Sequence, residues 1–173
     1  MTLPAQNLLD AETKAHEHED GHEAELRLWL RLLSFSALVE SQIRRRLRED
    51  YRMTLPRFDL MAQLERAEEG MTLNELSKRM MVTNGNVTGL VDRMVAEGLV
   101  DRRPAPKDRR SHFVRLTPLG RQLFQRMAGA HGRWLAVLFN GLDAKEMETM
   151  MALLAKAKQS ARHAVARGEV EIS

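Results

Sequence analysis

The segment from Arg102 to Arg115 holds six Arg or Lys residues against a single Asp. It follows a stretch, Thr83 to Glu97, whose polar positions are small or carry amides and hydroxyls. Cations of this density neutralise phosphates, an Asn side chain can pair bidentately with adenine, and a Thr methyl can touch the thymine methyl. On a helix from about Asn84 to Glu97, Val87, Leu90, Val91, Met94 and Val95 share the inward face. The outward face is left to Gly85, Asn86, Gly89, Asp92 and Arg93, with Asn84 and Thr88 at its edge and Thr83 in the turn before it. Gly85 and Gly89 each cost about 1 kcal/mol of helix propensity relative to Ala. Close approach of the backbone to phosphates or base edges would offset that cost. The alternative is a solvated helix face built from poor helix formers.

The elements around this stretch place it. Thr72-Leu-Asn-Glu75 is a capping box, so a short helix starts there and ends near Met80. Met81-Val-Thr83 makes the turn into the second helix, and Gly98 stops that helix. Val100 to Arg103 and His112 to Leu116 read as two strands, and Pro104-Ala-Pro106 keeps their connection from pairing as regular sheet. At the tip of this hairpin stand Lys107, Asp108, Arg109, Arg110 and Ser111. An Arg entering a narrow minor groove gains from its negative potential. Asp108 would hold Arg110 in one rotamer by a charge-assisted bond. Arg103, Lys107 and Arg109, with Arg102, would meet phosphates. A helix-turn-helix followed by a basic wing is a device for holding duplex DNA; a solvated charged turn with a local ion pair is the other reading of the tip.

The remaining helices are longer and more apolar. One runs from about Glu23 to Tyr51, with two adjacent apolar stripes containing Leu26, Leu30 and Leu33, and Trp29, Leu32 and Val39. Such a width calls for burial on two sides. Pro56 begins the next helix, filled by Phe58, Leu60, Met61 and Leu64, with Gly70 as its stop. Thr117-Pro118 opens a helix to about Asn140, and Asp143-x-x-Glu146 caps a last one reaching roughly Arg167. These two carry more apolar residues than a small winged-helix core can bury, among them Phe124, Trp134, Leu135, Met150 and Leu154. A homodimer would cover them; so would a second helical layer within one monomer.

The expected fold is mainly α with a small β-hairpin wing. Residues 1–22 form an acidic, His-containing and largely disordered segment, 23–55 and 117–168 a helical dimerisation region, and 56–116 a winged helix-turn-helix lobe. Residues 1–22 carry a net of −4 against +3 for the whole chain, which leaves +7 on the body and favours a polyanionic partner. Cysteine is absent, so there is no disulfide and no thiolate zinc site. His16, His18 and His22 stand among acids, but a flexible tract fixes no ligand geometry, and the expectation is no metal. Without a signal peptide or an apolar run long enough to span a bilayer, the reading is a soluble cytoplasmic, nucleoid-associated protein with no membrane partner. No phosphate loop, nucleophile elbow or metalloprotease motif is present, so an enzyme is not expected.

Gly98-Leu-Val-Asp-Arg-Arg103, Asp108-Arg-Arg110 and Arg115-Leu-Thr-Pro-Leu-Gly120 together resemble the multiple antibiotic resistance regulator (MarR) family of winged-helix repressors. The resemblance covers about residues 25 to 165. It implies that the helix from Asn84 is the recognition helix, that Arg110 is the minor-groove arginine, and that the protein is an obligate homodimer on a pseudo-palindromic operator. It also implies release by a small molecule held between the dimer helices and the DNA lobe. Trp29, Leu33, Phe35, Phe58 and Met61 would line such a cavity, with Arg31 or Asp59 supplying polarity; each is equally a plain core residue. The wording Pro56-Arg-Phe-Asp-Leu60 and Val82 to Gly89 is similar to the branch controlling aromatic-acid breakdown, which implies an aromatic carboxylate or its coenzyme A thioester as effector and no other cofactor. Arg44, Arg45, Arg46, Arg48 and Arg52 would then meet coenzyme A phosphates or DNA phosphates, although pairing with Glu40, Glu49 and Asp50 on a solvated face is the default. Peroxide sensing through a thiol needs the cysteine this chain lacks, and the arginine of the urate-responsive branch is Leu90 here. A DNA-binding or architectural protein with another effector, or none, is the alternative.

Overall fold

The computed structural model describes residues 22–67, 69–105 and 108–168, and along 104–112 the backbone alone. The acidic segment expected to be disordered lies outside the described residues, apart from His22. In chain order the elements are α1 (Glu23–Tyr51), α2 (Leu55–Glu65), β1 (Met71–Thr72), α3 (Leu73–Met80), α4 (Asn84–Ala96), β2 (Val100–Ala105), β3 (Asp108–Leu116), α5 (Pro118–Leu138) and α6 (Ala144–Ala166). The chain divides into two compact units, one through Trp134 and the other from Leu135 onward.

The first unit has one core. Leu47 of α1, Leu60, Met61 and Leu64 of α2, Leu76 of α3, Val87, Val91 and Met94 of α4, Val100 and Val114 of the sheet, and Met127 of α5 are all fully buried. Each such side chain contributes about 1.5–3 kcal/mol of burial. Their spacing is what the periods require. Val87, Val91 and Met94 recur at four and three residues along α4, and Val100 and Val114 face inward from the two wing strands. Val95 does not join them: it is exposed, because it stands one position round the helix from Met94.

The strands make a three-stranded antiparallel sheet in the order β1-β3-β2. Met71 pairs with Val114 and Thr72 with Phe113, a third strand that the expected hairpin lacks. The hairpin is also longer than its expected strands. Pairing runs through Pro104, opposite His112, and the register breaks only between Pro104 and Ala105. Pro lacks the N–H that a regular ladder needs, so the irregularity falls beside it. Likewise α2 ends at Glu65 and not at Gly70: the N–H of Ala67 bonds the Leu64 carbonyl and that of Gly70 bonds the Ala67 carbonyl, making a turn before β1.

Helix α1 has the expected bounds but not the expected burial. Only Ile43 and Leu47 are buried, while Leu26, Leu28, Trp29 and Leu38 are exposed, Trp29 to 58%. In the second unit Asp143 and Glu146 form the expected reciprocal capping box, and no residue of α6 is buried. Met151, Leu153, Leu154 and Val165 are exposed on it.

Candidate nucleic-acid interface

Two capped starts and one tight stop fix α4 in space. The Thr72 hydroxyl accepts from the Glu75 N–H (3.2 Å) while the Glu75 carboxylate accepts from the Thr72 N–H (2.8 Å), which anchors α3. Those bonds hold the Glu75 carboxyl below the usual carboxylate range, the backbone bond being the larger cause. Met81 closes α3 in the left-handed conformation at φ 54 and is 92% exposed. Thr83 then caps α4, its side chain accepting from the Asn86 N–H at 3.4 Å. At the far end Gly98 takes φ +70, its N–H bonds the Val95 carbonyl, and the Leu99 N–H reaches back to the Met94 carbonyl. This pair of bonds is the Schellman motif, with buried Leu99 and Met94 as its apolar partners.

The outward face of α4 is available. Asn84, Gly85, Asn86, Asp92 and Arg93 are exposed, and Thr88 and Gly89 are half-buried. The Thr88 hydroxyl donates to the Asn84 carbonyl at 2.9 Å. A Cβ added at Gly85 or Gly89 would meet nothing within 4 Å. Nothing inside the fold therefore demands glycine at either position.

The base of the wing is held by carboxylates. Arg102 of β2 donates to Asp92 of α4 at 2.5 Å. Asp101 accepts from Arg115 at 3.0 Å and from Arg103 at 3.3 Å. At the tip, Lys107 lies outside the described residues. Asp108, Arg109, Arg110 and Ser111 belong to β3, but the bond expected between Asp108 and Arg110 concerns side chains outside the description.

A cavity of about 470 Å³ lies beside α4, between it, α1 and the start of α2. Arg44 and Arg48 of α1, Thr54, Leu55 and Pro56 at the start of α2, Met80 and Val82 of the turn, and Asn86, Val87, Leu90 and Arg93 of α4 line it. Glu40 holds Arg44, one turn back on α1, whereas no ion pair among the described residues holds Arg48 or Arg93. The residues expected to line an effector cavity are dispersed. Of them, only the α1 arginines Arg44 and Arg48 line this cavity. Trp29, Leu33 and Arg31 are exposed, Phe35 is half-buried, and Arg45 donates to Gln42 on the surface. Phe58 and Met61 are core: Phe58 stacks on Phe124 at 5.5 Å and on His131 at 5.2 Å. Burial in that contact lowers the His131 pKa. Asp59 stands near Glu40 and Arg44; its pKa is raised, by partial burial first and by Glu40 second, against the opposing pull of Arg44.

Comparison with known proteins adds a family. The model described as "MarR family" matches residues 53–111. A MarR family transcriptional regulator from Silicibacter pomeroyi is 33% identical, covers 83% of this chain and 99% of its own, and superposes with a TM-score of 0.70. A mutant MarR from E. coli, complexed with operator DNA, is 26% identical, covers 80% of this chain and 99% of its own, and gives 0.67. Among curated relatives, the uncharacterized HTH-type transcriptional regulator YkoM of Bacillus subtilis is 30% identical over 95 residues, 55% of this chain. The match spans 62% of YkoM, less than two thirds of its length.

Proposed function

Because this chain belongs to the MarR family of transcriptional regulators, we propose that it represses transcription by binding a pseudo-palindromic duplex operator as a homodimer and that a small ligand releases it. The observation that carries the reading is the outward face of α4, with its amides, its hydroxyl and its two unobstructed glycines beside a basic wing. Asn86 and Asn84 supply base-edge hydrogen bonding, and the glycines let the backbone come close. Arg103 and the tip residues Lys107, Arg109 and Arg110 supply phosphate and minor-groove contacts, with Asp108 and Ser111 ordering the tip. The uncovered apolar residues of α1 and α6 favour a second copy of this chain as their cover. The relative crystallised on operator DNA supports the same reading.

The ligand reading rests on the cavity. Arg48 and Arg93, which have no carboxylate partner among the described residues, face apolar walls of Leu55, Pro56, Val87 and Leu90. That combination favours an anion with an apolar body, which is the chemistry of an aromatic carboxylate; a coenzyme A thioester would add phosphates for Arg44 and Arg45. Asn86 and Arg93 belong both to the cavity and to the outward face of α4. An occupant that engages them disfavours the arrangement that DNA selects, so ligand and DNA weaken each other reciprocally.

Selection of duplexes from a random pool, followed by footprinting and a solution mass measurement, tests the DNA reading. The expected result is a dimer on two half-sites about 10 bp apart, centre to centre. A monomer on an unpaired half-site would overturn it. Titration of the selected operator complex with aromatic acids and with their thioesters tests the ligand reading; unchanged affinity with both classes removes it.

A further inference from the structure

The ion pair between Asp92 and Arg102 joins α4 to the wing at the surface of the lobe. Asp92 stands on the third turn of α4 on its exposed side, and Arg102 on the first strand of the wing. Their side chains are 54% and 33% exposed, so the pair contributes little to stability. It does join the two parts of the lobe that would meet DNA. A carboxylate in that position opposes any polyanion. The neighbouring arginines are restrained in the same way, since Arg103 and Arg115 share Asp101. All three described arginines at the wing base are thus held by carboxylates, and the charge of the hairpin is partly withheld there.

We propose that Asp92 is a specificity-determining residue: it holds Arg102 against α4 and so keeps one cation from binding duplexes indiscriminately. The proposal rests on the DNA-binding reading above. Non-specific affinity is almost wholly phosphate neutralisation and counterion release. On a random duplex a phosphate must displace Asp92 to gain Arg102, and the contact adds little. On the operator the same pair fixes the spacing between α4 and the wing, so that base contacts and wing contacts form together. Asp92 therefore lowers random binding more than operator binding. Arg102 is a positioning residue in this account, and Asp92 acts through it.

The test compares Asp92→Asn, Arg102→Gln and the double variant on the selected operator and on a random-sequence duplex of equal length, over a series of salt concentrations. Asp92→Asn should tighten random-duplex binding by about two- to five-fold, the range expected for freeing one exposed ion-pair partner. The slope of log affinity against log salt should steepen by about 0.9, one added phosphate contact. Operator affinity should rise less, so the ratio of operator to random binding falls. In the Arg102→Gln background the same change should leave the salt slope unaltered, and Asp92→Glu should restore discrimination. A purely structural role would move the melting temperature without moving the slope.

Three outcomes overturn the proposal. One is equal tightening on both duplexes, and another is no change on either. The third is a slope change that persists without Arg102, which would mean that Asp92 repels phosphate by itself. A wild-type protein that prefers no duplex removes the regulator reading and this proposal with it. A wild type that discriminates, beside an Asp92→Asn variant that discriminates equally well, removes this proposal alone.

Discussion

Gly120 lies directly against the carbonyl of Leu99: a Cβ built on Gly120 would stand 1.9 Å from the Leu99 oxygen and 2.9 Å from its carbon. The contact explains the Leu-Thr-Pro-Leu-Gly wording at the start of α5. Thr117 donates its hydroxyl to the Gly98 carbonyl at 2.7 Å and accepts from the Gly120 N–H at 3.0 Å, which draws the first turn of α5 onto that peptide. Only a residue without a side chain fits there.

Gly120→Ala is accordingly expected to be strongly destabilising, by about 3 kcal/mol or more, because the obstacle is backbone and cannot rotate aside. Urea denaturation of the variant checks this. A loss under about 1 kcal/mol would show that α5 shifts freely at its start.

Gly85→Ala and Gly89→Ala should have the opposite sign. Each should raise stability by up to about 1 kcal/mol through helix propensity, since the new methyl meets nothing in the fold. Each should weaken operator binding, because the methyl then stands between the backbone and DNA. Variants that are more stable and bind unchanged would remove the close-approach argument.

Arg48→Gln and Arg93→Gln should weaken the response to an anionic ligand. Arg48 is the cleaner probe, as it lies on α1 and not on α4 itself. Its replacement should raise the ligand concentration needed for release by about ten-fold, the scale of one charge-assisted hydrogen bond. Ligand-free operator affinity should stay within about two-fold of wild type, the scale of a neutral surface change. A loss of DNA affinity with an unaltered ligand response would assign Arg48 to the DNA interface.

His131 makes stability depend on pH. Its pKa is lowered from 6.5 by burial, so between that ordinary value and the depressed one the unfolded chain holds the proton more readily than the native chain. Stability should therefore fall as pH drops through this window and level off below the native value. His131→Leu should flatten the melting-temperature profile between about pH 7 and pH 5, where an ordinary histidine titrates. An identical slope in the variant would place the effect elsewhere.

Asp59 works in the other direction. Its pKa is raised from 3.8, so the ionised form costs stability at neutral pH, and the native state gains stability as pH falls through the raised value towards the ordinary one. Asp59→Asn should stabilise at pH 7 by under about 1 kcal/mol, given its partial exposure. The advantage should shrink at low pH. A constant advantage across the range would mean that charge is not its origin.

Local signals are legible in the sequence, and signals that depend on distance are not. The boxes at Thr72 and Asp143, the stop at Gly98 and the bounds of α1 are written in residues at most a few positions apart. β1 is only two residues long, too short for any period, and it overlaps the capping box that masks it. The cavity joins the end of α1, the start of α2 and one side of α4, which no spacing rule connects, so its α1 arginines stand out in the sequence but its walls do not. Arg102 is expected on phosphate; a partner ten positions earlier, on another element, holds it instead. Leu33, Phe58 and Met61 look alike as apolar letters, and only the packing separates the exposed one from the two in the core.

The wing has a further property that comes from its base. Val100 pairs with Leu116, and the Thr117 N–H bonds the Leu99 carbonyl at 3.1 Å, so the hairpin leaves and re-enters the lobe at one staked point. A loop closed in this way isolates its tip: each doubling of its length costs only about 0.6 kcal/mol in closure entropy. Exchanging, lengthening or shortening the tip is therefore expected to leave the helix that precedes the wing and the one that follows it undisturbed. The lobe is thus a fixed chassis with a replaceable fitting, and grafting a foreign tip between Pro104 and His112 should yield a folded protein with altered DNA preference.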